Sequence, residues 1–315
     1  MKCITHQGAS MKKFLLFFSL SSLTVSAFAL PDYESFSDAT GAGGTSYNTG
    51  DNLAGQKDAG GQSWFLAGVP GSSPQPTIAN GDLIVPGLYS AGGGHSAAFG
   101  GNGNNARLNL SVGAGGITAG TVYFSFAMKL TDISTLTTGG IFWAGYNNSQ
   151  GAQSTVPNTV ATRVVTRASL TTPGAYNIGL DKSLGTPANF VWASGEFTTA
   201  STVFIVGSYT FNTSSGSDDV SQLWINPNSS DFGAASAPGG SLSSTSGNDL
   251  VRVASFTLYN RNANEPAGGL IDDLRFGLNW ADVTPAVPEP TTITLGALGL
   301  VMLGLSRFLR KASKN

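Results

Sequence analysis

The sequence predicts an all-β protein, an antiparallel sandwich of two sheets carried between two apolar terminal segments. Three observations lead there. Forty-two glycines and 14 prolines punctuate the 315 residues, which favours turns and short strands over long helices. Apolar and polar residues alternate between these breaks, and no long 3.6-residue pattern runs between residues 30 and 285. Charged residues make up 11% of the chain against 41% hydrophobic ones, so there is apolar material for a sizeable core.

At the N-terminus, Met11, Lys12 and Lys13 precede an apolar run over 14–25, and small residues stand at Ala27 and Ala29. This order is a secretory signal peptide over residues 1–29, with signal peptidase expected to cut after Ala29. A buried helix is the other reading of the run, but the lysine pair and the small-x-small ending favour the signal. The first ten residues are unusual ahead of such a signal, and translation is expected to start at Met11. Cleavage removes Cys3, the only cysteine, and His6, so the mature chain has no thiol and one histidine. Cysteine-based metal or redox sites and disulfides are thereby excluded.

The clearest strand is 121–130 (TVYFSFAMKL), where Val122, Phe124, Phe126, Met128 and Leu130 share one face and Ser125, Ala127 and Lys129 the other. That pattern predicts a half-buried strand. In chain order the remaining strand candidates are 63–66, 107–110, 141–144, 160–167, 176–180, 203–211, 220–225, 250–259 and 270–276. The apolar register shifts between Val253 and Phe256, which predicts a bulge. Residues 41–44, 92–94 and 100–103 read as glycine loops, and 213–217 as a hairpin tip. With no crossover helices, an antiparallel sandwich is preferred to a parallel sheet, and one large domain over 30–285 to two small ones.

At the C-terminus, 17 uncharged residues (290–306) are followed by Arg307, Arg310, Lys311 and Lys314. An apolar surface on every side predicts a transmembrane helix rather than an amphipathic core helix. The basic cluster places the tail in the cytoplasm. Between residues 30 and 290 stand nine cations and all 18 acidic residues, a charge of −9. Nucleic-acid binding needs a basic patch and is excluded on this balance.

Val287-Pro288-Glu289-Pro290, a short apolar span and an arginine-rich end, in that order over 287–315, resemble the PEP-CTERM sorting signal of Gram-negative bacteria. The resemblance implies that Pro288, Glu289 and Pro290 are recognised by a membrane protease-transpeptidase, exosortase, and that residues 286–315 serve as a removable sorting signal. It implies a bacterium that makes exopolysaccharide, a precursor anchored in the inner membrane, and a mature protein at the cell surface or in the extracellular matrix. A second resemblance, to concanavalin-like (LamG-like) jelly rolls, rests on 62–65 (QSWF), 80–83 (NGDL) with 86–88 (PGL), 121–126, 223–227 (LWINP), and 271–277 (IDDLRFG) before 280–283 (WADV). It implies a jelly-roll sandwich over most of residues 33–284.

Jelly rolls of that class include endoglucanases that carry Glu-x-Asp-x-x-Glu on one strand. That pattern is absent: the ectodomain has Glu34, Glu196 and Glu265, and Glu289 belongs to the sorting motif. His95, in a glycine loop, is the sole histidine for general-base work, and no Gly-x-Ser-x-Gly elbow accompanies it. Asp218-Asp219 and Asp272-Asp273 could offer oxygens to calcium, although the first pair also reads as opening a strand and Asp273 as a partner of Arg275. Trp143, Tyr146 and Asn147 could form a loop rim that stacks on a sugar. The sequence therefore predicts an exported, surface-sorted, non-enzymatic protein, a structural or adhesive component of the exopolysaccharide matrix. A carbohydrate-binding module of the same fold is the alternative, and a glycoside hydrolase the third reading. No cofactor other than calcium is expected.

Overall fold

The computed structural model describes residues 30–37, 47–58, 60–68 and 74–288. The signal peptide, the loop 41–44 and residues 289–315 lie outside them. Among the described residues fifteen strands run in order: β1 (Asp32–Glu34), β2 (Trp64–Ala67), β3 (Thr77–Asn80), β4 (His95–Phe99), β5 (Asn105–Asn109), β6 (Thr121–Asp132), β7 (Ile141–Asn147) and β8 (Val160–Ala168). Then come β9 (Tyr176–Asp181), β10 (Val191–Trp192), β11 (Val203–Thr210), β12 (Val220–Ile225), β13 (Leu242–Ser244), β14 (Ser255–Leu258), β15 (Gly268–Gly277) and one helical turn, α1 (Trp280–Val283). Among the described residues no helix is long and apolar enough to cross a membrane; the span expected after Pro290 lies outside them.

The strands form two antiparallel sheets. One has eight strands, in the order β13-β12-β11-β6-β15-β4-β3 with β1 also on β15, and the other has seven, β10-β9-β8-β7-β14-β5-β2. The chain passes from one sheet to the other between β1 and β2, β2 and β3, β4 and β5, β5 and β6, β6 and β7, β10 and β11, β13 and β14, and β14 and β15. Both sheets thus share one core, and the chain is an antiparallel two-sheet sandwich of the jelly-roll kind.

Phe124 sits at the middle of that core. Its neighbours across the ladder are Gly207 on β11 and Phe276 on β15. Its ring meets Tyr146 and Phe256 of the opposite sheet, each with centroids 5.1 Å apart. The ring also lies over Gly207, where a Cβ would stand 2.2 Å from Phe124 Cζ, so only glycine leaves room for it. Val122, Phe126, Val203, Ile205, Phe256 and Phe276 are all fully buried, as the alternation predicts.

The structure departs from the sequence reading in four places. Strand β6 is buried on both faces at its centre, including Ser125 and Ala127, and is not half-solvated. A second apolar cluster of Leu88, Phe204, Val206, Trp224, Phe232, Trp280 and Val283 gathers beside the main core and covers the outside of the eight-stranded sheet. Of 250–259 only Ser255–Leu258 pair as a strand; Val253 instead makes an isolated bridge to Ile117, so the shift predicted as a bulge is the end of a ladder. The short strands β1, β3, β4, β10 and β13 were not predicted. Each has two to five residues and little alternation, and each is set by the strand it pairs with.

Candidate functional site

After β15 the last described residues are fastened to the sandwich. Asn279 and Asp282 form a reciprocal capping box that fixes the single turn α1 directly after β15. Trp280 then inserts inward: its Nε1 donates to the Asp231 carbonyl oxygen at 2.8 Å, and its ring meets Trp224 edge-on at 5.2 Å. Ser125 Oγ, on the covered face of β6, donates to the Val283 carbonyl oxygen at 2.6 Å. Beyond the turn the backbone lies against 87–89: Tyr89 N donates to Pro285 O at 2.8 Å, and Val287 N to Gly87 O at 3.0 Å. Val287 is 52% exposed. The backbone bonds of this tether therefore reach Val287, the residue before Pro288. Glu289, Pro290, Arg307, Arg310, Lys311 and Lys314 lie outside the described residues, as do Ala27 and Ala29.

The predicted sugar rim is corrected. Trp143, Tyr146 and Asn147 lie within β7, not on a loop, and all three are buried. Trp143 stacks on Phe99 at 4.6 Å in the core, and Tyr146 packs against Phe124 and Phe256. Asn147 Oδ1 accepts from Arg107 at 3.0 Å. A bulge in the β7–β8 register turns both aromatic residues inward, which the sequence gives no means of seeing.

The acidic pairs have different surroundings. Asp218 and Asp219 are joined by Asp249, with ligand-capable oxygens within 4.8 Å of one another. The buried Lys182 ammonium already pairs with Asp249 at 2.5 Å, and Asp219 accepts from Tyr209 Oη and Asn212 N, each at 2.6 Å. Asp272 accepts from Leu83 N at 2.8 Å and from Asp273 N at 2.7 Å. Burial, opposed by the Leu83 bond, pushes its carboxyl up to about 8. Asp273, at φ +54°, accepts from Tyr33 Oη, from Ser90 Oγ and from Arg275, the partner the sequence suggested. This pair fastens β1 and the 82–90 loop to β15 at a break in the β6–β15 register.

The glutamates have separate partner sets. Glu34 is held by Tyr47 and Trp64, Glu196 by Ser169 and Thr171, and Glu265 by Arg261 at 2.8 Å. Burial pushes Glu265 up to about 7 against the pull of Arg261. His95 opens β4, with Nδ1 3.2 Å from Gly93 O.

Sequence reasoning missed one grouping. The seven-stranded sheet gathers Arg107, Arg163, Arg167 and Arg261, four of the nine ectodomain cations, with Phe142, Trp192 and Tyr259. Arg163 and Arg261 lie over the Phe142 ring at 4.3 and 4.1 Å. Among the described residues the acceptors of Arg107 are neutral: Asn147, Gln153 and the carbonyls of Gln150 and Gly151. Tyr259 Oη donates to Pro157 O at 2.9 Å, so the segment 150–157 lies across this end of the sheet. Arg167 remains half-exposed over Trp192 at 4.3 Å, with Nε donating to Asn177 Oδ1 at 3.3 Å. Linear spacing could not reveal it, because the residues come from β5, β7, β8, β10 and the chain after β14.

Residues 286–311 match the PEP-CTERM protein-sorting motif. No curated protein matches the chain. Among solved structures, the chain is similar to the receptor binding domain of botulinum neurotoxin D, at 12% identity over 76% of this chain and 49% of that one, with a TM-score of 0.37. It is similar to an alginate lyase Aly36B mutant in complex with alginate tetrasaccharide, at 13% identity over 79% and 98% of the two chains, TM-score 0.41. It is also similar to endo-beta-1,4-glucuronan lyase from the fungus Trichoderma reesei, at 11% identity over 70% and 97%, TM-score 0.38. The chain spans about half the length of the neurotoxin chains it matches. The sorting motif makes this an exported, surface-sorted protein with a C-terminal membrane-anchoring signal processed by exosortase.

Proposed function

We propose that the protein is a non-enzymatic structural or adhesive component of the exopolysaccharide matrix of a Gram-negative bacterium. Signal peptidase removes residues 1–29, the segment after Pro290 holds the precursor in the inner membrane with Arg307, Arg310, Lys311 and Lys314 on the cytoplasmic side, and exosortase acts at Pro288, Glu289 and Pro290. The observation that supports this reading is the sorting motif at 286–311, with backbone bonds from 87–89 holding the chain as far as Val287, the residue before Pro288. A charge of −9 between residues 30 and 290 gives the sandwich no attraction of its own to an anionic membrane, which makes the sorting segment its means of retention. The absence of a Glu-x-Asp-x-x-Glu strand supports a role without catalysis.

The second reading, a carbohydrate-binding module, is favoured by Arg167, Trp192 and Asn177. A half-exposed guanidinium stacked on an indole suits an acidic sugar, with the cation for the carboxylate. Co-sedimentation of the purified protein with the host's exopolysaccharide tests both. Retention in the polysaccharide pellet supports a matrix role, and its loss in Arg167→Ala together with Trp192→Ala supports the binding reading. A protein that stays in the supernatant and degrades the polysaccharide would refute both.

A further inference from the structure

Three of the four ion pairs between described residues use a guanidinium, and Lys182–Asp249 alone offers a primary amine. Lys182 stands directly after β9 with its side chain fully buried, and it is the only buried lysine among the described residues. Asp249 lies in the loop between β13 and β14. Lys182 Nζ is 2.5 Å from Asp249 Oδ1 and 3.2 Å from Thr245 O. One carbon–oxygen bond further on, Asp249 Cγ is at most about 3.8 Å from the nitrogen, beside the roughly 3 to 3.5 Å of a near-attack pair.

The carboxyl is held in place for such an attack. Asp249 Oδ2 accepts from Asp218 N and Oδ1 from Asp219 N, each at 3.1 Å. Fixed N–H dipoles of this kind stabilise negative charge as it builds on an attacked carbon's oxygen. A further carboxylate is at hand, since oxygens of Asp218, Asp219 and Asp249 lie within 4.8 Å of one another. Asp219 is engaged through both oxygens, by Tyr209 Oη and Asn212 N at 2.6 Å each. Asp218 Oδ2 accepts from Ser214 N at 3.0 Å, whereas Asp218 Oδ1 is buried with no hydrogen-bond partner and can carry a proton. A cavity of about 240 Å³ opens beside Asp249, lined also by Arg163, Ser183 and Asn248, with room for a departing water.

We propose that Lys182 Nζ and Asp249 Cγ condense into an intramolecular isopeptide bond. Lys182 passes one ammonium proton to Asp249 Oδ1, and the freed lone pair attacks Cγ, while Oδ2 takes the negative charge beside Asp218 N–H. Asp218 Oδ1 then takes a second proton from the nitrogen and gives it to Asp249 Oδ1. The Cγ–Oδ1 bond breaks, water leaves, and Oδ2 remains as the amide oxygen. An ammonium and a carboxylate thus become an amide and one water, with no oxidant, reductant or cofactor consumed. Holding the two groups in contact corresponds to an effective concentration of about 10⁵ to 10⁸ M. The amide also relieves the sandwich of two desolvated charges. With one cysteine in its sequence the chain has no internal disulfide. The isopeptide bond would instead link positions 67 apart, fastening the end of β9 in one sheet to the loop that leaves β13 of the other.

Tryptic mapping of the purified full-length protein, unfolded in denaturant before digestion, reads the bond by mass. An acylated Lys182 resists trypsin, so residues 168–252 should leave as one piece, about 18 Da (one water) lighter than their sequence. Fragment ions should join Lys182 to Asp249. Lys182→Arg and Asp249→Ala should each give 168–182 at full mass, separate from 183–252 at full mass. Asp218→Asn keeps an acceptor for Ser214 N but loses the proton carrier, and after synthesis it should form the bond on the order of a hundredfold more slowly. A parent that yields 168–182 and 183–252 separately at full mass would overturn the proposal and leave an ion pair in its place. That digest decides the matter even where a variant fails to fold. A loss of about 18 Da that persists in Lys182→Arg would also overturn it, because the dehydration would then lie within 183–252 alone. An Asp218→Asn protein that bonds as fast as the parent would overturn the proton-carrying role of Asp218.

Discussion

The contact between Phe124 and Gly207 offers a double-mutant cycle. Truncating the buried ring in Phe124→Ala removes its contacts with Phe126, Tyr146 and Phe256 and should cost about 3 to 5 kcal/mol. In Gly207→Ala the new methyl would stand 2.2 Å from Cζ and 2.5 Å from Cε1 of that ring, so ring or strand must move. Overpacking of this kind costs about 1 to 3 kcal/mol. In the double variant the methyl enters space the ring has vacated. The total should therefore fall short of the sum by about 1 to 3 kcal/mol, because the two residues touch. Urea unfolding of the segment 30–288, followed by far-ultraviolet circular dichroism, measures all three differences. A neutral Gly207→Ala, or a double variant additive to within about 0.5 kcal/mol, would refute the placement of the ring over the glycine.

N-terminal sequencing of exported protein should begin at Leu30, as the Ala27-x-Ala29 site requires; material beginning at Met1 or Met11 would contradict this. Trp143→Ala should cost about 3 to 5 kcal/mol of stability while leaving polysaccharide retention of the folded fraction unchanged, since the ring is in the core. Glu265 has a folded value of about 7 against 4.5 for the free side chain. Its contribution to stability is complete below pH 4.5 and is lost as the pH rises through about 7, because the folded state then holds a proton the unfolded state has released. Denaturation midpoints should decline over that window by at most about 1.4 kcal/mol per pH unit from this group, and Glu265→Gln should flatten the slope.

The residues show why part of this was legible in advance. Strand β6 alternates over ten residues and so announces its inward face, whereas β8, β11 and β15 show themselves as strands by their apolar and β-branched content and are buried on both faces over most of their length. The sorting signal is a linear pattern, so 287–290 and the basic tail could be read directly. The covered outer face of β6 could not, because Trp224, Trp280 and Leu88 reach it from distant segments. Trp143 and Tyr146 were misplaced because a bulge, and not the local sequence, decides which way they point. Lys182 escaped notice because 67 positions separate it from Asp249 and only the fold brings the two together.

Exosortase processing is tested most directly by comparing wild-type and Glu289→Ala proteins in the native host, by mass and by membrane fraction. The wild type should appear as a mature form released from the inner membrane. The variant should remain membrane-bound and heavier by about 2.6 kDa, the mass of residues 291–315 at the chain's mean residue mass. Equal masses and equal membrane fractions for the two proteins would contradict sorting through Pro288, Glu289 and Pro290 and would leave a plain C-terminal anchor in its place.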